Sequence, residues 1–144
     1  AADGGHHRWE QIKAEERDAK GATSALDGVA LGLPALLRAE KLQKRAARTG
    51  FDWPDAAGPR AKIDEELAEI EAASPDTLEE EVGDLLFSIV NWARHLGIDP
   101  EAALRVGNAK FERRFRRMED MAGDAFGGLD LTAKEKLWQV AKRD

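Results

Sequence analysis

Proline and glycine residues divide the chain into segments of helical length, and this punctuation constrains the fold more than any other feature. Proline is tolerated in the first turn of a helix, and glycine commonly follows the last turn. These signals predict helices over residues 34–49, 60–73, 77–96, 100–122 and 133–142. Because the links between the first four are short, neighbouring helices are expected to run antiparallel, as in a helical bundle.

The residue types also favour helices. The chain contains 25 Ala and 15 Leu but only 14 Val, Ile and Thr together. Ala and Leu are strong helix formers, whereas β-branched residues are enriched in strands, so the sequence predicts an all-α protein. We expect residues 1–20 to form an N-terminal arm or linker and residues 21–144 to form the domain. A flexible joint over Gly123–Asp130 and a helix cap at Thr132 should precede the last helix.

The composition excludes several classes of function. Because the chain has no cysteine, thiol catalysis and thiolate metal sites are excluded. No apolar run of about 18 residues and no secretory signal are visible, so we expect a cytoplasmic protein without a membrane partner. A net charge of −6 argues against broad binding to a nucleic-acid backbone. The first residue is Ala1, which leaves open whether the chain is part of a longer protein.

Four carboxylates are placed symmetrically about Pro75, between the second and third predicted helices. Glu69 and Glu81 each lie six residues from this proline, and Glu66 and Asp84 each lie nine residues from it. If the chain folds back at the proline, the four side chains fall at two matched levels of a helical hairpin. Helices packed about 8–10 Å apart allow facing side chains to converge on one ion.

Two interpretations of these carboxylates remain open at this stage. Like charges held together repel and raise one another's pKa, so a convergent group needs a neutralising ion, and Mg²⁺ or Mn²⁺ suits carboxylate ligands. Alternatively, the acidic residues are solvated charges on the two helices, with Glu79, Glu80 and Glu81 favoured by the dipole of a helix N-terminus.

The fourth predicted helix carries a row of basic residues. Lys110, Arg114 and Arg117 recur at helical spacing and could hold a polyphosphate. The alternative is pairing with acidic residues of the same helix, which we favour for Arg113, Arg116 and Arg117.

The remaining candidates are weaker. Neither a P-loop nor a Glu-x-x-His di-iron motif is present. His95 is expected to be a satisfied or exposed histidine at a helix end. Phe51 and Trp53 could stack on a base, but we expect them to be buried against the helices.

Glu65-Glu66-x-x-Glu69 followed by Glu81-x-x-Asp84 resembles the signature of the all-α nucleoside triphosphate pyrophosphohydrolases, the MazG-like group. The similarity extends over residues 9–143. It is carried by five more segments: Leu33-Pro34-Ala35-Leu36, Gly50-Phe51-Asp52-Trp53, Gly83-Asp84-Leu85-Leu86-Phe87, Ala93-Arg94-His95-Leu96 and Lys110-Phe111-Glu112-Arg113-Arg114-Phe115.

The resemblance implies an intertwined helical homodimer that hydrolyses nucleoside triphosphates to monophosphate and pyrophosphate with Mg²⁺, as nucleotide-pool house-cleaning. It also implies a preceding tandem domain, with this chain similar to the second of two. The implied metal ligands are Glu66, Glu69, Glu81 and Asp84. The implied substrate-binding residues are Lys62, Lys110, Arg114 and Trp138. The implied catalytic residues are Glu65, Glu66 and Glu69.

Two alternatives to this function are kept open. The chain could be a helical dimerisation or regulatory module without catalysis, or a pyrophosphohydrolase restricted to one nucleotide or deoxynucleotide. The 11 residues between Glu69 and Glu81 are at the short end for the group, which predicts a trimmed hairpin rather than a broken site.

Overall fold

A computed structural model describes Arg8, Trp9, and residues 11–13 and 23–143. Within these residues the structure contains helices and turns but no strand, which confirms the all-α prediction. Over residues 23–143 the α-helices are α1 Ala35–Ala47, α2 Ala57–Ala72, α3 Leu78–His95, α4 Pro100–Ala122 and α5 Leu131–Ala141. Gly50 and Gly97 follow α1 and α3 with φ of +92° and +75°, a conformation that glycine adopts without strain and that ends a helix.

The chain divides into two compact units, Ala1–Pro100 and Glu101–Asp144. Of the expected arm, Arg8, Trp9 and residues 11–13 are helical, and the rest of residues 1–20 lies outside the described part of the chain. The division between arm and domain at residue 20 therefore stays a prediction.

The first unit is built on the hairpin of α2 and α3. The backbone carbonyl of Ser74 accepts hydrogen bonds from the amides of Thr77 and Leu78, both at 3.1 Å, so the chain reverses within a few residues at Pro75. Helix α1 packs against α3, where the side-chain amide of Gln43 donates to the carbonyl of Phe87 at 3.0 Å. The turn thus fixes the register of the two acidic helices.

The loop between α1 and α2 is tied to the end of α3 by a network of ionic hydrogen bonds. Arg94 donates to both oxygens of Asp52, at 2.5 and 3.1 Å, and to Asn91 Oδ1 at 2.7 Å. His95 Nε2 lies 2.9 Å from Asp52 Oδ1. The hydrogen bond from Arg94 is the main reason that the pKa of Asp52 falls to about 2. His95 is therefore a satisfied histidine, as expected.

We expect Asp52→Asn to destabilise the fold by about 1–3 kcal/mol, the usual value of a hydrogen bond to a charged group. The folded-state pKa of Asp52, about 2, lies below its ordinary value of 3.8. Its stabilisation is thus complete above that ordinary value and is lost as the pH falls through about 2. Urea unfolding of both proteins between pH 6 and 2 measures this, and the difference should shrink below pH 4. A difference that stays constant down to pH 2 would contradict the prediction.

Trp53 covers the first turn of α2. A Cβ atom added at Gly58 would lie closer than 3.0 Å to three ring atoms of Trp53, so this contact requires glycine. Trp53 itself remains 46% exposed, and Phe51 is 81% exposed. The expectation that both rings are buried against the helices is therefore wrong: Phe51 is turned outward, and Trp53 contacts α2 but stays half exposed. The network at Asp52 fixes the loop in this position.

Gly58→Ala is expected to lower stability by about 1–3 kcal/mol, since the new methyl group must displace the indole ring. The control is Gly107→Ala, where an added Cβ meets nothing within 4 Å and alanine gains helix propensity. Thermal unfolding compares the two variants. Equal melting temperatures for Gly58→Ala and the parent protein would show that the ring moves freely.

The apolar side of α3 is only partly covered. The sequence pattern predicts a buried face of Leu78, Val82, Leu85, Ile89, Ala93 and Leu96. Instead, Leu78, Val82, Ile89 and Leu96 are 39–53% exposed, and the buried residues of α3 are Ser88 and Val90. The prediction of a buried face is therefore wrong within this chain, because α1 and α2 cover a different side of α3 from the one that the apolar periodicity marks.

The second unit folds around an aromatic cluster. Phe111 stacks on Phe115 at 6.0 Å between ring centroids, Phe126 meets Phe115 edge-on at 5.4 Å, and Met118 is buried. The expected flexible joint is a 3₁₀ helix over Gly123–Gly128.

The cap of α5 also differs from the prediction. Asp130, rather than Thr132, caps this helix by accepting from the amide of Ala133 at 2.9 Å. Asp130 lies two residues before the predicted cap, so the helix also begins two residues sooner.

Candidate metal centre

Three carboxylates converge on the α2–α3 hairpin. Glu66 and Glu69 come from α2 and Glu81 from α3, and one oxygen of each lies within 4.8 Å of the others. The register set at Pro75 brings them together, as the symmetric spacing predicts. We call these three residues the carboxylate cluster.

Asp84 is near the cluster but outside it. It is exposed, and no oxygen of Asp84 belongs to the 4.8 Å group. Its negative charge nevertheless contributes to raising the pKa of Glu66. Asp84 lies one turn beyond Glu81 on α3, so its role as a fourth ligand remains a prediction.

The cluster is electrostatically unfavourable as it stands. Glu66 is only 4% exposed, and burial is the main cause that raises its pKa, opposed by the hydrogen bond from Lys62. A hydrogen bond with Glu81 is the main cause that raises the pKa of Glu69. Both shifts favour the protonated acids, which is the expected response of carboxylates held together without a neutralising charge.

Two oxygen atoms of the cluster lack partners. Glu66 Oε2 and Glu81 Oε2 are buried and accept no hydrogen bond within the described residues. A buried acceptor without a partner is costly, and an oxygen-binding cation would satisfy both. Hard divalent ions such as Mg²⁺ bind carboxylate oxygens, so the donor set fits a Mg²⁺ or Mn²⁺ ion.

Lys62 borders the cluster. Its ammonium lies 3.0 Å from Glu65 Oε1 and 3.3 Å from Glu66 Oε1. The hydrogen bond with Glu65 is the main cause that raises the pKa of Lys62, which keeps this side chain positively charged. Glu65 is exposed and faces the lysine rather than the cluster.

The other predicted substrate-binding residues lie in the second unit. The guanidinium of Arg114 lies 5.6 Å from the centroid of the Trp138 ring, and Trp138 contacts Phe111 at 5.8 Å. Lys110 is exposed on the same helix. The structure therefore groups Arg114 with Trp138.

Arg116 of the same helix pairs with Glu112 at 3.3 Å, which confirms intrahelical pairing for Arg116.

Several buried polar groups were not singled out from the sequence. Glu40 and Gln43 of α1 are 7% and 6% exposed, and Arg38 Nε is buried without a hydrogen bond in the described part of the chain. Arg38, Glu40 and Gln43 recur at helical spacing beside apolar residues of α1. This spacing is the sequence signal that could have indicated polar side chains on the inward-facing side of the helix.

No helix among the described residues is long and apolar enough to cross a membrane.

The helical hairpin and its converging acidic side chains place this chain among all-α proteins with a candidate metal centre. Comparison with known protein families identifies the kind of all-α protein more closely. Residues 61–118, which contain the cluster, match the family described as MazG nucleotide pyrophosphohydrolase domain. This region of the chain, residues 61–118, therefore belongs to the MazG domain family.

Curated relatives support the assignment. The chain is 51% identical over 146 residues to a nucleoside triphosphate pyrophosphohydrolase of Escherichia coli strain K12, covering 94% of this chain and 55% of that protein. It is 43% identical over 141 residues to the nucleoside triphosphate pyrophosphohydrolase/pyrophosphatase MazG of Thermotoga maritima, covering 95% of this chain and 55% of that protein. The chain thus spans about half the length of these relatives.

Proposed function

We propose that this chain hydrolyses nucleoside triphosphates to nucleoside monophosphate and pyrophosphate, with Mg²⁺ or Mn²⁺ held by Glu66, Glu69, Glu81 and Asp84. The observation that carries the proposal is a pair of buried oxygens, of Glu66 and Glu81, without a hydrogen-bond partner among the described residues, inside a group of three convergent carboxylates. The names of the relatives supply the reaction.

In this proposal, some residues of the site bind the phosphate groups and others accept a proton from the attacking water. When bound, the divalent ion would polarise the phosphoryl group and lower the pKa of the attacking water. Lys62 borders the cluster and offers a positive charge to the phosphate oxygens. Glu65 and Glu69 are the candidates to accept the proton of the water, and a raised carboxyl pKa such as that of Glu69 suits this role.

In the second unit, Lys110 and Arg114 are proposed to hold the triphosphate, and Trp138 to flank the nucleotide. The contact of Arg114 with Trp138 supports a shared role, because the ring holds the guanidinium in place.

The proposed assembly is an intertwined homodimer, supported by the exposed apolar side of α3. A large uncovered apolar surface is typical of an interaction site. A tandem domain preceding the chain, a cytoplasmic location and house-cleaning of the nucleotide pool complete the proposal.

The test is to incubate the purified chain with each common nucleoside and deoxynucleoside triphosphate and Mg²⁺, and to identify the products. Monophosphate with pyrophosphate supports the proposal, whereas diphosphate with phosphate contradicts it. Turnover of one nucleotide alone would favour the restricted enzyme. No turnover, together with no thermal stabilisation by Mg²⁺ or Mn²⁺, would favour a dimerisation or regulatory module.

The basic row on α4 gives a contrast between neighbouring arginines. Arg114→Ala or Lys110→Ala should weaken nucleotide binding and turnover by at least about tenfold, because each removes a positive charge from the triphosphate. Arg116→Ala should change turnover little, since Arg116 pairs with Glu112. Steady-state kinetics of the three variants tests this. Equal losses of turnover in all three variants would contradict the prediction and would favour intrahelical pairing for Lys110 and Arg114.

A further inference from the structure

A cleft on the first unit has a charge opposite to that of the whole protein. It has a volume of about 840 Å³ and is lined by Trp9 and Lys13, by residues between Gly28 and Arg48, and by Arg94 at the end of α3. Among the described residues that line it, Glu40 is acidic and six are basic: Lys13, Lys41, Lys44, Arg45, Arg48 and Arg94. In a chain of net charge −6, this concentration of positive charge attracts anions locally. None of the carboxylates of the candidate metal centre lines the cleft.

The walls of the cleft are held in place by hydrogen bonds. Arg45 donates from α1 to the carbonyls of Ala25 and Asp27, at 3.3 and 2.8 Å. The carboxylate of Asp27 accepts from the amides of Thr23 and Ser24, at 2.9 and 3.0 Å. The segment that faces α1 is therefore held by Arg45 through its backbone carbonyls and by Asp27 through its backbone amides. A ligand would meet a preformed site.

Individual basic groups are also positioned. The carboxylate of the buried Glu40 lies 2.9 Å from the ammonium of Lys44, and Arg94 is oriented by Asp52. Lys41 lies on the same side of α1, one turn before Arg45 and Lys44 along the helix face, and is exposed. The cleft thus combines oriented cations with an exposed lysine at its rim, an arrangement suited to phosphate oxygens.

The remaining lining is apolar. Trp9, Val29, Leu33 and Leu37 contribute to the same cleft. Small-molecule sites typically have volumes of about 300–1,000 Å³ with apolar walls and a few oriented polar groups. A simple inorganic anion would leave the apolar wall unused, whereas a nucleoside phosphate offers both a ring and negative charge.

We propose that this cleft binds a nucleoside phosphate as a ligand, at a second site separate from the carboxylate cluster. The basic side chains hold the phosphate groups, and the apolar wall with Trp9 receives the nucleoside. The inference does not depend on the proposed hydrolysis, because no residue of the cluster takes part.

The experiment is calorimetric titration of the chain with ADP and, separately, with inorganic pyrophosphate, in EDTA so that no divalent ion bridges ligand and carboxylates. We expect ADP to bind, and Lys41→Glu to weaken it by about tenfold through charge repulsion. The matched control Lys136→Glu changes an exposed lysine of α5 and should bind ADP like the parent chain. In the double variant Lys110→Gln/Arg114→Gln, which weakens any nucleotide binding at α4, the ADP binding that depends on Lys41 should persist.

Each other outcome overturns the proposal. Absence of ADP binding at millimolar concentration, or equal affinity in Lys41→Glu with circular dichroism showing a folded chain, removes the cleft as a site. Loss of binding in the double variant places ADP on α4 instead. If pyrophosphate binds as tightly as ADP, the ligand of the cleft is an inorganic polyphosphate and not a nucleoside phosphate.

Discussion

Glu66→Gln is expected to reduce pyrophosphate release by at least about 100-fold while the chain stays folded. Glu66 is the most deeply buried member of the carboxylate cluster, and its Oε2 has no hydrogen-bond partner among the described residues. The amide keeps the volume of the side chain but removes the charge that would bind the ion. Pyrophosphate release, measured with Mg²⁺ on samples checked by circular dichroism, tests the prediction. Glu69→Ala and Asp84→Ala are expected to abolish release as well.

A second readout separates loss of the ion from loss of structure. Without metal, Glu66→Gln should raise the melting temperature, because a buried negative charge is removed from a repulsive group. Added Mg²⁺ should stabilise the parent chain but not the variant, since only a folded site binds the ion. The matched control is Glu71→Gln, which changes an exposed carboxylate of the same helix and should leave both readouts unchanged. Full activity in Glu66→Gln would overturn the metal assignment.

The sequence predicts the hairpin well because its determinants are local. Pro75 and the residues around it place the turn, and the turn sets the levels of Glu69 and Glu81 without any knowledge of the remaining fold. Helix ends that depend on glycine, at Gly50 and Gly97, are equally local. The convergence of the cluster could therefore be predicted, whereas its occupation by an ion could not.

Features that depend on distant contacts could not be predicted. Asp52 and Arg94 are 42 residues apart, and no periodicity connects a loop carboxylate with the end of a later helix. The basic cleft has the same origin, because its residues come from three separated parts of the chain. The cap of α5 differs from the prediction for another reason: Thr132 and Asp130 are both good cap residues, and the better acceptor, two residues earlier, starts the helix.

The apolar side of α3 leads to the second large expected effect, on assembly. Leu86 is 50% exposed and Ile89 41% exposed, on a helix whose apolar periodicity predicts burial. We expect the chain to be a homodimer in which this side of α3 contacts the partner copy through symmetric surfaces. Leu86→Glu should then dissociate the dimer and abolish activity, because a charge replaces an apolar side chain at the interface.

Sedimentation equilibrium over a wide dilution series, with circular dichroism and activity measured on the same samples, tests this expectation. Dissociation and unfolding should coincide in the parent chain, since intertwined pairs often have no stable folded monomer. Leu31→Glu is the matched control: Leu31 is 85% exposed and lies in the turn before α1, so the charge should be tolerated without a change in mass or activity. A folded and active species of 15.8 kDa would refute the dimer, and the exposed side of α3 would then require another partner.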